Sequence, residues 1–282
     1  MIPLLSSIAP LAQRYDAWFC DIWGVMHNGQ TGFEEAIEAC RAFQAQGGKV
    51  VLLTNAPRPA RSVASQLSDF GVPDDCYDGI VSSGDVAQHL IAKHKGLAIH
   101  HIGPGRDYPV IEQAGIEPVS LEKAELILLT GLIDDDTETP DDYHEMFEAL
   151  VPQGLKMICA NPDLMVERGD RLVYCAGALA KLYEEMGGTV LYAGKPYLPI
   201  YELAEKKLSS LSNKVIERSR ILCIGDGLKT DMPGAFAAKL DALFVASQLH
   251  IEGGILHQDQ LASLFAPLNG KPIGALSRLN WV

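Results

Sequence analysis

The sequence predicts an α/β fold: a Rossmann-like, parallel-sheet core with a second α/β domain inserted into it. Three observations predict it. Short apolar runs alternate with helix-period stretches along most of the 282 residues. Several runs stop on a polar residue and turn at once, at Asp21, Thr54-Asn55, Asn161-Pro162-Asp163 and Gly225-Asp226. In an open α/β sheet, ligands bind outside the carboxyl ends of the strands, so these ends are where chemistry belongs. The alternation also restarts midway, with hinge-like segments near Ser82-Ser83-Gly84 and between Gly188 and Gly194. Residues 83–190 are therefore expected to form the insert, and residues 1–82 and 191–282 the core.

Each element has a local reason. Ala17 to Cys20 is an apolar run that closes on Asp21, and Gly24 marks the turn after it. Thr31-Gly32-Phe33-Glu34 reads as a capping box, and Phe33, Ile37, Cys40 and Phe43 form one helical face ended by Gly47-Gly48. Val50 to Leu53 is a short strand leading to Thr54-Asn55. Pro57 and Pro59 open the next helix, whose Val63, Leu67 and Phe70 share a face before Gly71. Gly79 to Val81 leads into Ser82. In the insert, Ala98 to Ile102 and Leu126 to Leu129 read as strands, the second ahead of Gly131. Thr139 and Pro140 are N-cap and first helical residue of a helix carrying Tyr143, Phe147 and Leu150. Met157 to Ala160 is a strand ending on Asn161-Pro162-Asp163. Leu179, Leu182 and Met186 make a helical stripe closed by Gly187-Gly188. Val190 to Tyr192 then reaches Gly194-Lys195-Pro196. A helix through Ile200, Ala204, Leu208 and Leu211 follows. Ile221 to Ile224 ends on Gly225-Asp226-Gly227, and Ala242 to Val245 reads as the last core strand.

Composition narrows the partners. The apolar fraction is 48%, the charged fraction 21%, and the net charge 23 − 36 = −13 with no basic block. A nucleic-acid backbone partner is not expected, nor an anionic membrane surface. A small phosphate remains compatible, because a local cation or metal decides that. Six cysteines occur without a C-x-x-C pair, and Cys20, Cys159 and Cys223 lie in apolar runs. They read as buried thiols in a reducing compartment. Pro3 and Pro10 break the N-terminal apolar run, no basic leader precedes it, and no window of ~18 apolar residues occurs. The expected location is cytoplasmic.

An aspartate, a hydroxyl, a lysine and a pair of acids at strand ends fit phosphoryl transfer through a covalent aspartyl-phosphate. A carboxylate nucleophile splits one hard displacement into two easier ones. Mg²⁺ prefers carboxylates, waters and substrate phosphate, and a helix N-terminus behind Thr54 can hold a phosphoryl oxygen. Taken singly, each residue is an ordinary turn or capping residue.

Taken together, the chain resembles the haloacid dehalogenase superfamily. Asp21-Ile22-Trp23-Gly24-Val25 resembles its first motif, Leu53-Thr54-Asn55 its second, Gly194-Lys195-Pro196 its third, and Gly225-Asp226-x-x-x-Thr230-Asp231 its fourth. The T-N, G-K-P and G-D-x-x-x-T-D forms resemble the nitrophenyl-phosphatase and phosphoglycolate-phosphatase-like branch, which carries a large α/β cap between the second and third motifs. The resemblance implies a Mg²⁺-dependent phosphatase for a small phosphorylated metabolite. Asp21 would be nucleophile and metal ligand, and the Trp23 backbone carbonyl a second ligand. Asp226 and Asp231 would complete the metal site, the latter directly or through water. Lys195 would orient Asp21 and the phosphoryl group, and Thr54 with Asn55 would bind phosphate. Cap residues, with Asn161 and Asp163 among the candidates, would meet the substrate. A homodimer through the cap is left open.

Trp23 is the departure. The family's second aspartate, which this position replaces, protonates the leaving oxygen and then activates water. Indole N–H donates but has no useful acidity. Three explanations stay open: a substitute group, with His27 or Asp163 as candidates; a slow or specialised hydrolase whose substrate leaves easily; or a phosphate-binding or regulatory protein without efficient turnover. His27 is expected to be an exposed loop histidine. The acid run Asp134-Asp135-Asp136 lines a cleft or is a solvated loop, with the solvated loop the expectation. A dinucleotide-dependent oxidoreductase fails, because Gly103-Pro104-Gly105 places Tyr108 where a third glycine is required.

Overall fold

The computed structural model of the chain describes residues 1–168, 171–246 and 256–282. The strands in chain order are β1 (Ala17–Asp21), β2 (Lys49–Thr54), β3 (Gly79–Ser82), β4 (Ile99–Ile102), β5 (Leu126–Leu129), β6 (Lys156–Cys159), β7 (Met165–Arg168), β8 (Arg171–Tyr174), β9 (Thr189–Tyr192), β10 (Ile221–Gly225), β11 (Asp241–Val245) and β12 (Gly274–Leu276). The helices are α1 (Ala9–Ala12), α2 (Glu34–Ala45), α3 (Ala60–Asp69), α4 (Ser83–Lys93), α5 (Pro109–Ala114), α6 (His144–Leu150), α7 (Ala176–Glu185), α8 (Leu198–Ser212), α9 (Asp231–Ala237) and α10 (Gln258–Phe265). None of the helices among the described residues is long and apolar enough to cross a membrane.

The chain divides into two compact units. The first comprises Met1–Thr54, Ala64–Val81 and Lys195–Val282. Its six-stranded sheet has the order β12-β11-β10-β1-β2-β3, and the pairs β1–β10, β1–β2, β10–β11 and β11–β12 are parallel. Strand order therefore runs outward in both directions from the β1/β10 pair, which makes that pair the topological switch point of the sheet. β1 and β10 are buried throughout, as a central parallel strand covered on both faces requires. Trp18 stacks flat on Phe43 of α2, ring centroids 3.9 Å apart, and the terminal Trp281 packs at a tilt on Trp18 at 6.5 Å. The half-buried Trp281 thus packs against the edge of the core.

The second unit comprises Asn55–Val63 and Ser82–Gly194. Its sheet, β4-β5-β6-β9, is parallel in every pair. Ile127, Leu129, Phe147, Leu179 and Tyr183 form the centre of its core. Thr139 caps the turn at Pro140 as its sequence predicts, with Asp142 returning the bond. The antiparallel hairpin β7–β8 carries no apolar run in its sequence, and the sequence reading missed it.

Two local expectations are corrected. α2 starts at Glu34 with Phe33 as its N-cap in extended backbone and no side-chain cap. Thr31 instead donates its backbone N–H to the Asn28 carboxamide, because the 28–31 turn takes it first. β11 is not the last strand: β12, three residues long and containing a glycine, pairs with its outer edge. Such a strand is too short to show an apolar period.

Candidate active site

The ladder register sets the site. Asp21 pairs with Leu53 of β2, so Thr54 lies one residue beyond the level of Asp21. Cys20 pairs with Ile224 of β10, which puts Gly225 level with Asp21 and Asp226 just past the strand end. Three strand ends thus deliver Asp21, Thr54 and Asp226 to the carboxyl edge of the switch point. Lys195 enters from the loop ahead of α8, which packs on β2, and Asp231 is the first residue of α9.

Lys195 Nζ donates to Asp21 Oδ1 at 2.5 Å, to Asp231 Oδ1 at 2.8 Å and to the Leu53 carbonyl at 3.4 Å. The Asp231 carboxylate also accepts the Gly227 N–H at Oδ2, at 3.0 Å. Lysine and all three acids are buried. Burial would pull the Lys195 ammonium down, but the charges of Asp21 and Asp231 outweigh it and hold its pKa above the usual value. Burial pushes the Asp21 carboxyl well up, as does the Asp231 charge, and Lys195 opposes them only in part. Burial dominates the Asp21 shift, whereas the two carboxylates bonded to Lys195 together dominate its own.

With all groups charged, that cluster carries 1 − 3 = −2. Carboxylate oxygens of Asp21, Asp226 and Asp231 lie within 4.8 Å of one another. Hard oxygen donors gathered this closely fit a divalent cation such as Mg²⁺. Two glycines make room for the acids: a Cβ on Gly24 would collide with the Asp226 carboxylate, and one on Gly225 with Asp231. Gly24 also has φ +82°, a conformation that favours glycine. Sequence reading had named the lysine and the acids. It had not named the Leu53 carbonyl or the Gly227 N–H, because backbone partners leave no residue-type signal.

Trp23 sits in the turn after β1, in which Gly24 N–H donates to the His27 carbonyl. Its indole covers Gly29 so closely that a Cβ there would strike the six-membered ring. The ring meets His27 edge-on at 5.2 Å, and His27 meets Phe70 at 4.9 Å. His27 is therefore not the exposed loop residue expected from sequence; it is 3% exposed. Its Nδ1 accepts the Gly29 N–H at 2.8 Å, and burial lowers its pKa to about 4. The ring is neutral at pH 7 and holds the turn together.

The remaining candidates, Asn55, Asn161 and Asp163, are in the second unit. Asn55 Nδ2 donates to Asp163 Oδ1 at 2.9 Å, and Asp163 N–H donates to Asn161 Oδ1 at 3.1 Å. The acid run is not a simple solvated loop. Asp135 is bonded by the guanidinium groups of Arg106 and Arg168, and these pairs, against the cost of burial, lower its pKa to about 2.

Comparison with known proteins adds to this geometry. Residues 18–117 match the family model described as haloacid dehalogenase-like hydrolase, and residues 192–261 match a second model of HAD-hydrolase-like type. A crystal structure of a hydrolase of the haloacid dehalogenase-like family from Brucella suis 1330 superposes with a TM-score of 0.86 at 42% identity, covering 98% of this chain and 100% of that one. The 5'-nucleotidase YutF of Bacillus subtilis (strain 168) is 26% identical over 83% of this chain and 88% of its own length. The ribonucleotide monophosphatase NagD of Escherichia coli (strain K12) is 25% identical, over 81% and 86%.

Proposed function

Because the chain belongs to the haloacid dehalogenase-like hydrolase family, we propose that it is a phosphatase that cleaves a small organic phosphate through an aspartyl-phosphate on Asp21. The observation that carries this reading is the buried cluster in which one lysine bridges Asp21 and Asp231 beside Asp226. The named activities of the relatives, a 5'-nucleotidase and a ribonucleotide monophosphatase, support a small phosphorylated metabolite as substrate.

In this reading, an oxygen of Asp21 attacks phosphorus and the bond to the leaving oxygen breaks, its electron pair departing with that oxygen. Lys195 holds the Asp21 carboxylate in place and offsets charge on the phosphoryl oxygens. Thr54 and the N–H groups after it bind those oxygens. Water then attacks phosphorus, the bond to Asp21 breaks and restores the carboxylate, and the water's proton passes to the phosphate or to solvent. Asp21, the Trp23 carbonyl, Asp226 and Asp231 would hold Mg²⁺, which supplies charge neutralisation at the phosphoryl group.

Trp23 leaves the departing oxygen without an acid at that position, and His27 is neutral with its Nδ1 already accepting a bond. Positioned acid–base catalysis is typically worth ~10²–10⁴-fold. Substrates whose leaving group is stable as an anion need it least, so the favoured substrates are those with good leaving groups. The second unit serves as the cap that selects among them, in the cytoplasm. Turnover of an aryl phosphate against an alkyl phosphate, with Mg²⁺ and with EDTA, tests the proposal. Mg²⁺-dependent release favouring the aryl ester supports it. A folded chain that binds Mg²⁺ and phosphate yet releases none would instead indicate a binding protein.

A further inference from the structure

The side chain of Asn55 is tied to Asp163, beside the two junctions with the first unit's chain. Asn55 follows Thr54 by one peptide bond, and Gly194 precedes Lys195 by one. Both are in the second unit, as is the Asn161-Pro162-Asp163 turn. Asn55 Nδ2 donates to Asp163 Oδ1 at 2.9 Å. Gly194 is wedged so tightly that a Cβ would strike Asn55 Oδ1, Pro162 Cδ and Ser83 Oγ. The turn is fixed in its own right: Asp163 N–H donates to Asn161 Oδ1 at 3.1 Å, Gly177 N–H donates to the Asp163 carbonyl at 3.1 Å, and a side chain on Gly177 would hit the backbone of Pro162 and Asp163.

We infer that Asp163 is a positioning residue for the phosphate end of the reaction, acting through Asn55 and Gly194, rather than a residue that reads the organic part of the substrate. The inference rests on the phosphatase reading above. One rigid turn holds the residue after Thr54 through a hydrogen bond and the residue before Lys195 through packing. Thr54 and Lys195, the chain neighbours of Asn55 and Gly194, are both assigned to the phosphoryl group in that reading. A carboxylate acceptor makes that hydrogen bond charge-assisted. Loss of the acceptor would remove one tie on Asn55, the residue that follows Thr54.

The test is made on the full chain with inorganic phosphate as probe, because phosphate has no leaving group for a specificity residue to read. Phosphate binding is measured by calorimetry in Mg²⁺ and as product inhibition, for the parent, Asp163→Ala and Asp163→Asn. Asn keeps an oxygen that accepts from Asn55. Asp163→Ala is expected to weaken phosphate binding about tenfold and to lower kcat by a common factor for aryl and alkyl esters. Asp163→Asn is expected to recover most of both, with an unfolding midpoint near that of the parent. Phosphate affinity of the Ala variant within about twofold of the parent, with KM changes that depend on the organic group, would overturn the inference. Failure of Asn to recover phosphate affinity while folded would overturn it too. A parent that binds phosphate but hydrolyses nothing would contradict only the phosphatase reading, and the comparison of the three affinities would still decide the role of Asp163.

Discussion

The ammonium of Lys195 lies 2.5 Å from Oδ1 of Asp21, inside a cluster that holds two further carboxylates. Removing one partner of a buried ion pair is typically destabilising by ~3–5 kcal/mol, because the other charge is left uncompensated. Lys195→Met should therefore melt below the parent in EDTA, and the gap should narrow as Mg²⁺ is added. A gap unaffected by Mg²⁺ in thermal unfolding would contradict the charge account of the cluster.

Asp226→Asn should behave in the opposite way. It lowers the repulsion among three buried acids, so in EDTA the variant should be at least as stable as the parent. A ligand that binds only the folded chain stabilises it by mass action, so the parent should gain stability as Mg²⁺ rises. The variant should lose most of that gain. Melting curves over a Mg²⁺ series check both signs at once.

Trp23 has a structural role that can be separated from its chemical one. Gly29→Ala forces a side chain into a φ of +86° and against the Trp23 indole, and should cost ~1–3 kcal/mol in denaturant unfolding. Trp23→Asp would place a carboxyl at that position. It should raise alkyl-ester turnover relative to aryl-ester turnover by ~10-fold or more, whatever it does to stability. An unchanged aryl-to-alkyl ratio would mean that leaving-group assistance comes from elsewhere.

Asp107 predicts a pH effect in the second unit. Burial pushes its carboxyl up to about 6, against the pull of Arg106, Arg58 and the Thr130 hydroxyl. The folded value exceeds the unfolded one, so the folded chain binds more protons between them. The stability attached to the protonated form is fully present below the unfolded value and is lost as pH rises through about 6. Asp107→Asn should thus stabilise the chain near pH 7, by on the order of 2 kcal/mol, and change little near pH 3. Unfolding midpoints for both proteins across that range provide the check.

Much of the fold could be read because parallel strands are apolar throughout and end on polar turns. Asp21, Thr54 and Asp226 announce themselves that way, and register then brings them level. The hairpin β7–β8 has no apolar run, and the buried β12 is three residues long, too short to show one. His27 departs from its expected exposure for a related reason. Its burial depends on Trp23 and Phe70 closing over it, and Phe70 is distant in the sequence. The Asn55–Asp163 bond spans 108 positions, and no local signal in either residue points to the other.

The most direct test of the central claim is acid-quenched mass spectrometry of the full chain during Mg²⁺-dependent turnover of an aryl phosphate. The account predicts a phosphoryl group on the peptide that contains Asp21, absent from Asp21→Asn, with hydrolysis by that variant lower by at least ~10³-fold. Full Mg²⁺-dependent hydrolysis by Asp21→Asn, or a phosphoryl group carried on another residue, would contradict it.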